Sequence, residues 1–106
     1  MTEESIQLIL HGGNAHSLAM QAVTEARSGA FDKAEEMLQR ANAEEMEAHR
    51  AQTALLAKEA QGVETTPDIL LVHALDHVSA GSLNIDWARE LVDLYRRVCA
   101  LEEGSK

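Results

Sequence analysis

The chain has 106 residues, a formal net charge of −9 and a single cysteine, Cys99. The negative charge argues against binding to nucleic acid, because the phosphates would be repelled, and a lone cysteine excludes an intramolecular disulfide. No apolar run approaches the roughly 20 residues of a membrane-spanning helix, and the N-terminus lacks the pattern of a signal peptide. We therefore expect one cytoplasmic domain over residues 1–106, without membrane insertion.

The first element is predicted to be a helix from about Glu3 to Ser28. Apolar residues make up 45% of the chain and aromatic residues only 3%, and they recur at helical spacing rather than alternating as in a strand. Gly29 is typical of a helix C-terminus. Gly12 and Gly13 predict either a kink in this helix or the close approach of another helix.

The second predicted helix spans Phe31 to Ala60, and Asp32 followed by Glu35 resembles a capping box at its start. With about 1.5 Å of rise per residue, a helix of this length favours an elongated bundle. The polar segment 61–66 is the one clear loop.

The third predicted helix runs to about Glu102. Thr66, Pro67 and Asp68 resemble a helix start, with Thr66 as the N-cap and Pro67 at the first helical position. Gly81 is a weak point at which a kink is expected. Three amphipathic helices with short connections predict an all-α, up-down-up three-helix bundle, and the wide apolar stripes favour self-association.

The chemistry concentrates on the third helix, where His73, Asp76 and His77 share one face because residues three and four apart are neighbours. A neutral imidazole is a good nucleophile toward phosphorus, and a nearby acid or second imidazole would fix its tautomer. The same three side chains would also suit a metal site. A solvated polar face is the third interpretation, and spacing alone does not choose between them.

The sequence as a whole resembles the lactose/cellobiose/chitobiose-type enzyme IIA family of the bacterial phosphotransferase system. Three stretches carry the resemblance: Gly13–Ala34 with its break at Gly29-Ala30-Phe31, Glu47–Leu56 with its Ala-His-x-x-Gln-Thr run, and Val72–His77. The last stretch is similar to the family pattern His-[Ala/Gly]-Gln-Asp-His. Together, in this order, the three cover nearly the whole chain.

The resemblance implies a phosphotransferase component that carries phosphohistidine for uptake of a β-linked disaccharide, without identifying the sugar. His73 would accept a phosphoryl group from phospho-HPr and pass it to the cognate enzyme IIB, with His77 as the second active-site imidazole. The family assembles as a homotrimeric nine-helix bundle. Asp76 would then lie near the trimer axis and share a divalent metal, Mg²⁺, which would offset the repulsion between three carboxylates.

Two positions depart from the family pattern: Leu75 replaces the usual Gln, and Ser79 replaces the usual Met. An amide at position 75 would donate a hydrogen bond to a phosphoryl group, which leucine cannot do. The alternative function is therefore a non-catalytic trimeric helical module for regulation or oligomerisation, degenerate at Leu75. His49 and Gln52 share a face of the second helix and are candidates, with Leu75, for lining the pocket.

Overall fold

The computed structural model describes residues 2–105 and consists of three α-helices, α1 (Glu3–Arg27), α2 (Phe31–Ala60) and α3 (Ile69–Gly104). The predicted all-α three-helix bundle is confirmed. The bundle is elongated, with dimensions of 64 × 21 × 15 Å. Gly29 and Gly62 both have φ of 84° in the two connections, a backbone conformation that favours glycine. Within the described residues, no helix is long and apolar enough to cross a membrane.

Both predicted helix starts were wrong in their capping residues. The N-cap of α3 is Asp68, whose side chain accepts a hydrogen bond from the Leu71 N–H at 2.8 Å, so Thr66 lies outside the helix. Aspartate caps as well as threonine, and its charge adds a favourable interaction with the helix N-terminus. The N-cap of α2 is Ala30, without a side-chain hydrogen bond, because the short connection lets the helix begin at Phe31. Asp32 lies in the first turn instead of capping it.

The core consists of two clusters of buried residues along the bundle. One contains mainly alanine and occupies the half of the bundle near the α1–α2 connection. Its members are Ala15, Leu18, Ala19, Ala22, Ala26, Ala34, Leu38, Ala41, Ile85, Ala88 and Val92. The other is smaller and consists of Leu8, Ala48, Ala74 and Val78, with Leu75 among the partly buried residues packed against it. Small side chains on α1 bring the helix axes close together and so fix their positions.

Gly12 marks a close crossing of α1 and α3, which is one of the two alternatives that the sequence left open. Both helices are continuous through their glycines. A Cβ atom on Gly12 would lie 3.1 Å from the carbonyl carbon and oxygen of His77. A Cβ atom on Gly81 would lie 3.1 Å from the carbonyl oxygen of Gly12. The backbones of α1 and α3 therefore meet at His77.

Polar side chains tie the helices together around this crossing. His11 contacts Glu44 of α2 through Nδ1 and Gln7 Oε1 through Nε2, the latter at 2.8 Å. His16 contacts Asn84 of α3. These two histidines therefore act in helix packing.

Candidate functional site

His73 and His77 form a contacting pair of imidazoles on α3. Their Nε2 atoms are 2.9 Å apart, and the rings meet edge to face with centroids at 4.4 Å. One Nε2 therefore carries a proton and donates a hydrogen bond to the lone pair of the other Nε2. This contact couples the tautomers of the two rings. His73 is exposed and His77 is half-buried. The pair thus presents one accessible imidazole supported by a second.

The backbone beneath this pair is held by α1. Because Gly12 lacks a side chain, the α1 backbone approaches the peptide group between His77 and Val78. Val78 and Ala74, one turn apart, are buried in the smaller core cluster. A continuous helix with two core contacts and a backbone crossing gives the imidazoles a fixed base, a requirement for a positioned reactive group.

Asp76 lies on an exposed stripe of α3, beside the face that carries the two imidazoles. We define this α3 stripe by what its members share, a position on one helix face and a solvent-exposed side chain: Val72, Asp76, Leu83, Trp87, Leu91, Leu94, Val98 and Leu101. Val72 and Leu83 are 62% and 58% exposed, so the stripe around Asp76 is not buried within one chain. Such a row of large apolar side chains marks an interaction surface.

A metal site within a single chain is not supported. Among residues 2–105, no three His, Cys, Asp or Glu side chains come together as a ligand set. His73, His77 and Asp76 therefore do not converge on one ion.

The remaining predicted residues divide between the core and a groove. Leu75 packs against the smaller core cluster. His49 and Gln52 line an open groove of about 360 Å³ between α2 and α3, together with Ser79, which replaces the family's usual Met. The other residues of this α2–α3 groove are Glu45, Val78, Ser82, Leu83 and Asp86. Neither His73 nor His77 lines it.

Glu45 is the residue of this region that sequence reasoning missed. Its side chain is only 8% exposed, and neither carboxylate oxygen has a hydrogen-bond partner within the described chain. His49 Nε2 lies 3.0 Å from Oε1, close enough for an ion pair although the contact lacks hydrogen-bond geometry. Burial raises the pKa of Glu45, an effect that His49 opposes and the Asp86 carboxylate reinforces. Its place between Ala41 and Ala48 on the buried stripe was the available sequence signal.

Comparisons with known proteins identify the family to which the chain is similar. Residues 3–96 match the family described as the lactose/cellobiose-specific IIA subunit of the phosphotransferase system. The lichenan-specific enzyme IIA component of Bacillus subtilis is 41% identical over 92% of this chain and 89% of its own length. The lactose-specific component of Streptococcus mutans is 37% identical over 86% of this chain and 88% of its own.

A solved structure gives the same result in three dimensions. The crystal structure of the cellobiose-specific enzyme IIA from Bacillus anthracis superposes with a TM-score of 0.90, at 39% identity, over 94% of both chains. The uninterrupted three-helix bundle, the coverage of both partners and the sequence identity all agree. The chain belongs to the lactose/cellobiose-specific IIA subunit family and is a component of a sugar phosphotransferase system.

Proposed function

We propose that this chain is a phosphohistidine carrier that accepts a phosphoryl group on His73 from phospho-HPr and passes it to a cognate enzyme IIB in the cytoplasm. The observation that carries the proposal is the exposed His73 imidazole, 2.9 Å from His77 on a rigid part of α3, in a chain of this family. Similar proteins have lichenan, lactose or cellobiose in their names. The transported sugar is then a β-linked disaccharide or a related glycoside.

The proposed transfer exchanges one phosphorus–nitrogen bond for another. The unprotonated ring nitrogen of His73 forms a bond to phosphorus with its lone pair, and the bond from phosphorus to the donor's histidine breaks. The donor imidazole leaves with that electron pair and takes up a proton from solvent, while His73 releases the proton of its other ring nitrogen to solvent, so that protons balance. His77 fixes the tautomer of His73 through the contact between their Nε2 atoms. When the Nε2 of His77 carries the proton, His77 is the donor of the hydrogen bond across that contact. Transfer to enzyme IIB is the same step with His73 as the leaving group.

The proposal includes a homotrimer built on the α3 stripe. Seven large apolar side chains of this stripe are exposed in one chain, and packing three parallel copies together would remove them from water. Asp76 lies on the same stripe, so three copies of its carboxylate would converge at the axis. Three carboxylates close together repel one another unless a cation or bound protons neutralise their charge. Mg²⁺, which prefers oxygen ligands, is the proposed ion. In this arrangement Asp76 serves assembly and not transfer.

The test is phosphorylation by the general components of the system. Incubation with enzyme I, HPr and phosphoenolpyruvate should add one phosphate per chain, labile in acid and stable in base as phosphohistidine is. His73→Ala should abolish labelling, and His77→Ala should slow it about 100-fold. His16→Ala, a matched change away from the pair, should leave it unchanged. A wild-type trimer without any label would overturn the proposal and favour the non-catalytic module.

A further inference from the structure

We propose that His49, seated on the buried carboxylate of Glu45, completes the phosphoryl site of a neighbouring copy of this chain. In this arrangement His73 and His77 come from one subunit, and His49 comes from the next. The inference rests on the proposed phosphocarrier function. It adds a positioning residue, Glu45, and a third imidazole that lies outside the pair on α3.

The first observation is the unsatisfied carboxylate of Glu45. A buried acid without hydrogen bonds costs stability, so Glu45 is a group that a partner outside the single chain could satisfy. Space for it exists because position 81 is glycine: a Cβ atom there would lie 3.1 Å from Glu45 Oε2. The neighbouring polar atom is Nε2 of His49, 3.0 Å from Oε1. Glu45 thus lies beneath the imidazole of His49 and orients it.

The second observation is the exposure of the other side of that imidazole. The His49 side chain is 60% exposed and faces the α2–α3 groove, beside Gln52 and Ser79. With Nε2 directed to Glu45, Nδ1 is the nitrogen that a ligand can reach. An imidazolium at position 49 would form an ion pair with Glu45 across the 3.0 Å contact and would leave its Nδ1–H free to donate to a phosphoryl oxygen, a charge-assisted hydrogen bond. A carboxylate–imidazole pair of this kind is a common way to orient a donor.

The third observation is the position of the two sites on opposite flanks of the α3 stripe. With Trp87 as the reference direction and about 100° per residue, His73 and His77 lie roughly 40° and 80° to one side. On the same scale, Ser79 and Asp86 lie roughly 80° and 100° to the other side. The contacts agree with this assignment. The α1 backbone approaches α3 at His77, whereas Ser79 and Asp86 of α3 line the groove that α2 borders on its other side.

A ring of subunits joined through the α3 stripe brings these opposite flanks together. In a cyclic trimer each interface is heterologous, so one flank of a subunit meets the other flank of the next. The groove adjoins the proposed interface directly, because Leu83 belongs to both the groove and the stripe. The polar side chains of the groove, Glu45, His49 and Asp86, would then face the neighbour's imidazoles. The occupant of the groove is therefore a second copy of this chain.

The decisive experiment mixes a slow chain with a chain that cannot accept phosphate. His49→Ala and His73→Ala subunits, distinguishable by mass, are unfolded together, refolded and assayed with enzyme I, HPr and phosphoenolpyruvate. Alone, His49→Ala should accept phosphate about 10- to 100-fold more slowly than wild type. In an equal mixture, about half of the His49→Ala chains should have an intact His49 on the adjacent subunit and regain the wild-type rate. Rescue of this kind occurs only if the site is shared between subunits.

Conservative variants separate orientation from folding. Glu45→Gln should slow transfer and alter its pH profile above pH 4.5, on the side to which burial raises the pKa of Glu45, whereas a purely structural role would leave that profile unchanged. His49→Gln retains a donor and should recover part of the rate lost in His49→Ala. Glu36→Gln makes the same chemical change as Glu45→Gln at an exposed position of α2 and serves as the control.

Each outcome is decisive. A normal rate for His49→Ala, with wild type labelled, overturns the inference and leaves the carrier function intact. A slow His49→Ala that the mixture fails to rescue also overturns it, because the defect then lies within one subunit. Absence of label on wild type removes the carrier function and this inference with it. Circular dichroism and light scattering on each variant identify loss of fold or assembly separately.

Discussion

The two interfaces of α1 differ in kind from the contact between α2 and α3. α1 packs closely against both other helices through alanines and Gly12, whereas α2 and α3 contact each other much less and leave a groove between them. The α1 interfaces are apolar at their centres, but the groove contains the buried acid Glu45. The comparison indicates that α1 holds the bundle together by packing against both other helices, while the α2–α3 side contains polar groups that packing alone does not require.

The largest expected effect comes from removing a side chain from the core that α1 forms with the other two helices. Leu38 on α2 is 1% exposed and belongs to the larger cluster that α1 completes. Leu38→Ala should lower the free energy of unfolding by about 2–5 kcal/mol, from lost burial and the cavity left behind. Leu56→Ala on the same helix is the control, since Leu56 is 59% exposed. Urea denaturation followed by circular dichroism measures both; equal effects would contradict the assignment of the core.

A second substitution tests the close crossing directly. Gly12→Val places atoms where a Cβ already lies 3.1 Å from the His77 backbone, so α1 and α3 must separate. We expect a loss of about 1–3 kcal/mol in the free energy of unfolding. Gly13→Ala is the matched control, because nothing lies within 4 Å of its Cβ and the added methyl should raise stability by about 0.5–1 kcal/mol. A neutral Gly12→Val would show that the crossing is loose.

The three helices were predictable from sequence, but the sites of contact between them were not. Periodicity and Gly29 placed α2 correctly at both ends, since they are local signals. The choice between a kink and a close approach at Gly12 depended on which helix lies opposite, which no local pattern contains. Glu45 was missed for a related reason: a charged residue on an apolar stripe gains meaning only once Gly81 and His49 are placed around it. His73 and His77 were found because their spacing lies within one helix.

The groove is tested by the pH dependence of stability. The pKa of Glu45 is raised above its usual value of 4.5 by burial, so the folded state binds this proton more tightly than the unfolded state. Its stabilising contribution is fully present below pH 4.5 and is lost as the pH rises through the raised pKa. Glu45→Gln should therefore be more stable than wild type at pH 7, by about 1 kcal/mol, and the difference should shrink toward pH 4.5. An identical pH profile for Glu36→Gln and Glu45→Gln would contradict burial of this acid.

The smallest expected effect concerns the polar contact that joins α2 and α3 far from the groove. Arg96 donates from Nη2 to Glu35 at 3.1 Å and lies over the Phe31 ring, with its guanidinium carbon 4.9 Å from the ring centroid. Arg96→Lys keeps the charge but loses the planar stacking, so we expect a loss of about 0.5–1 kcal/mol, measured by urea denaturation. Because the ion pair is half exposed, added salt should weaken it further in wild type. A loss of unfolding free energy as large as that of Leu38→Ala would mean that polar contacts, and not packing against α1, hold α2 against α3.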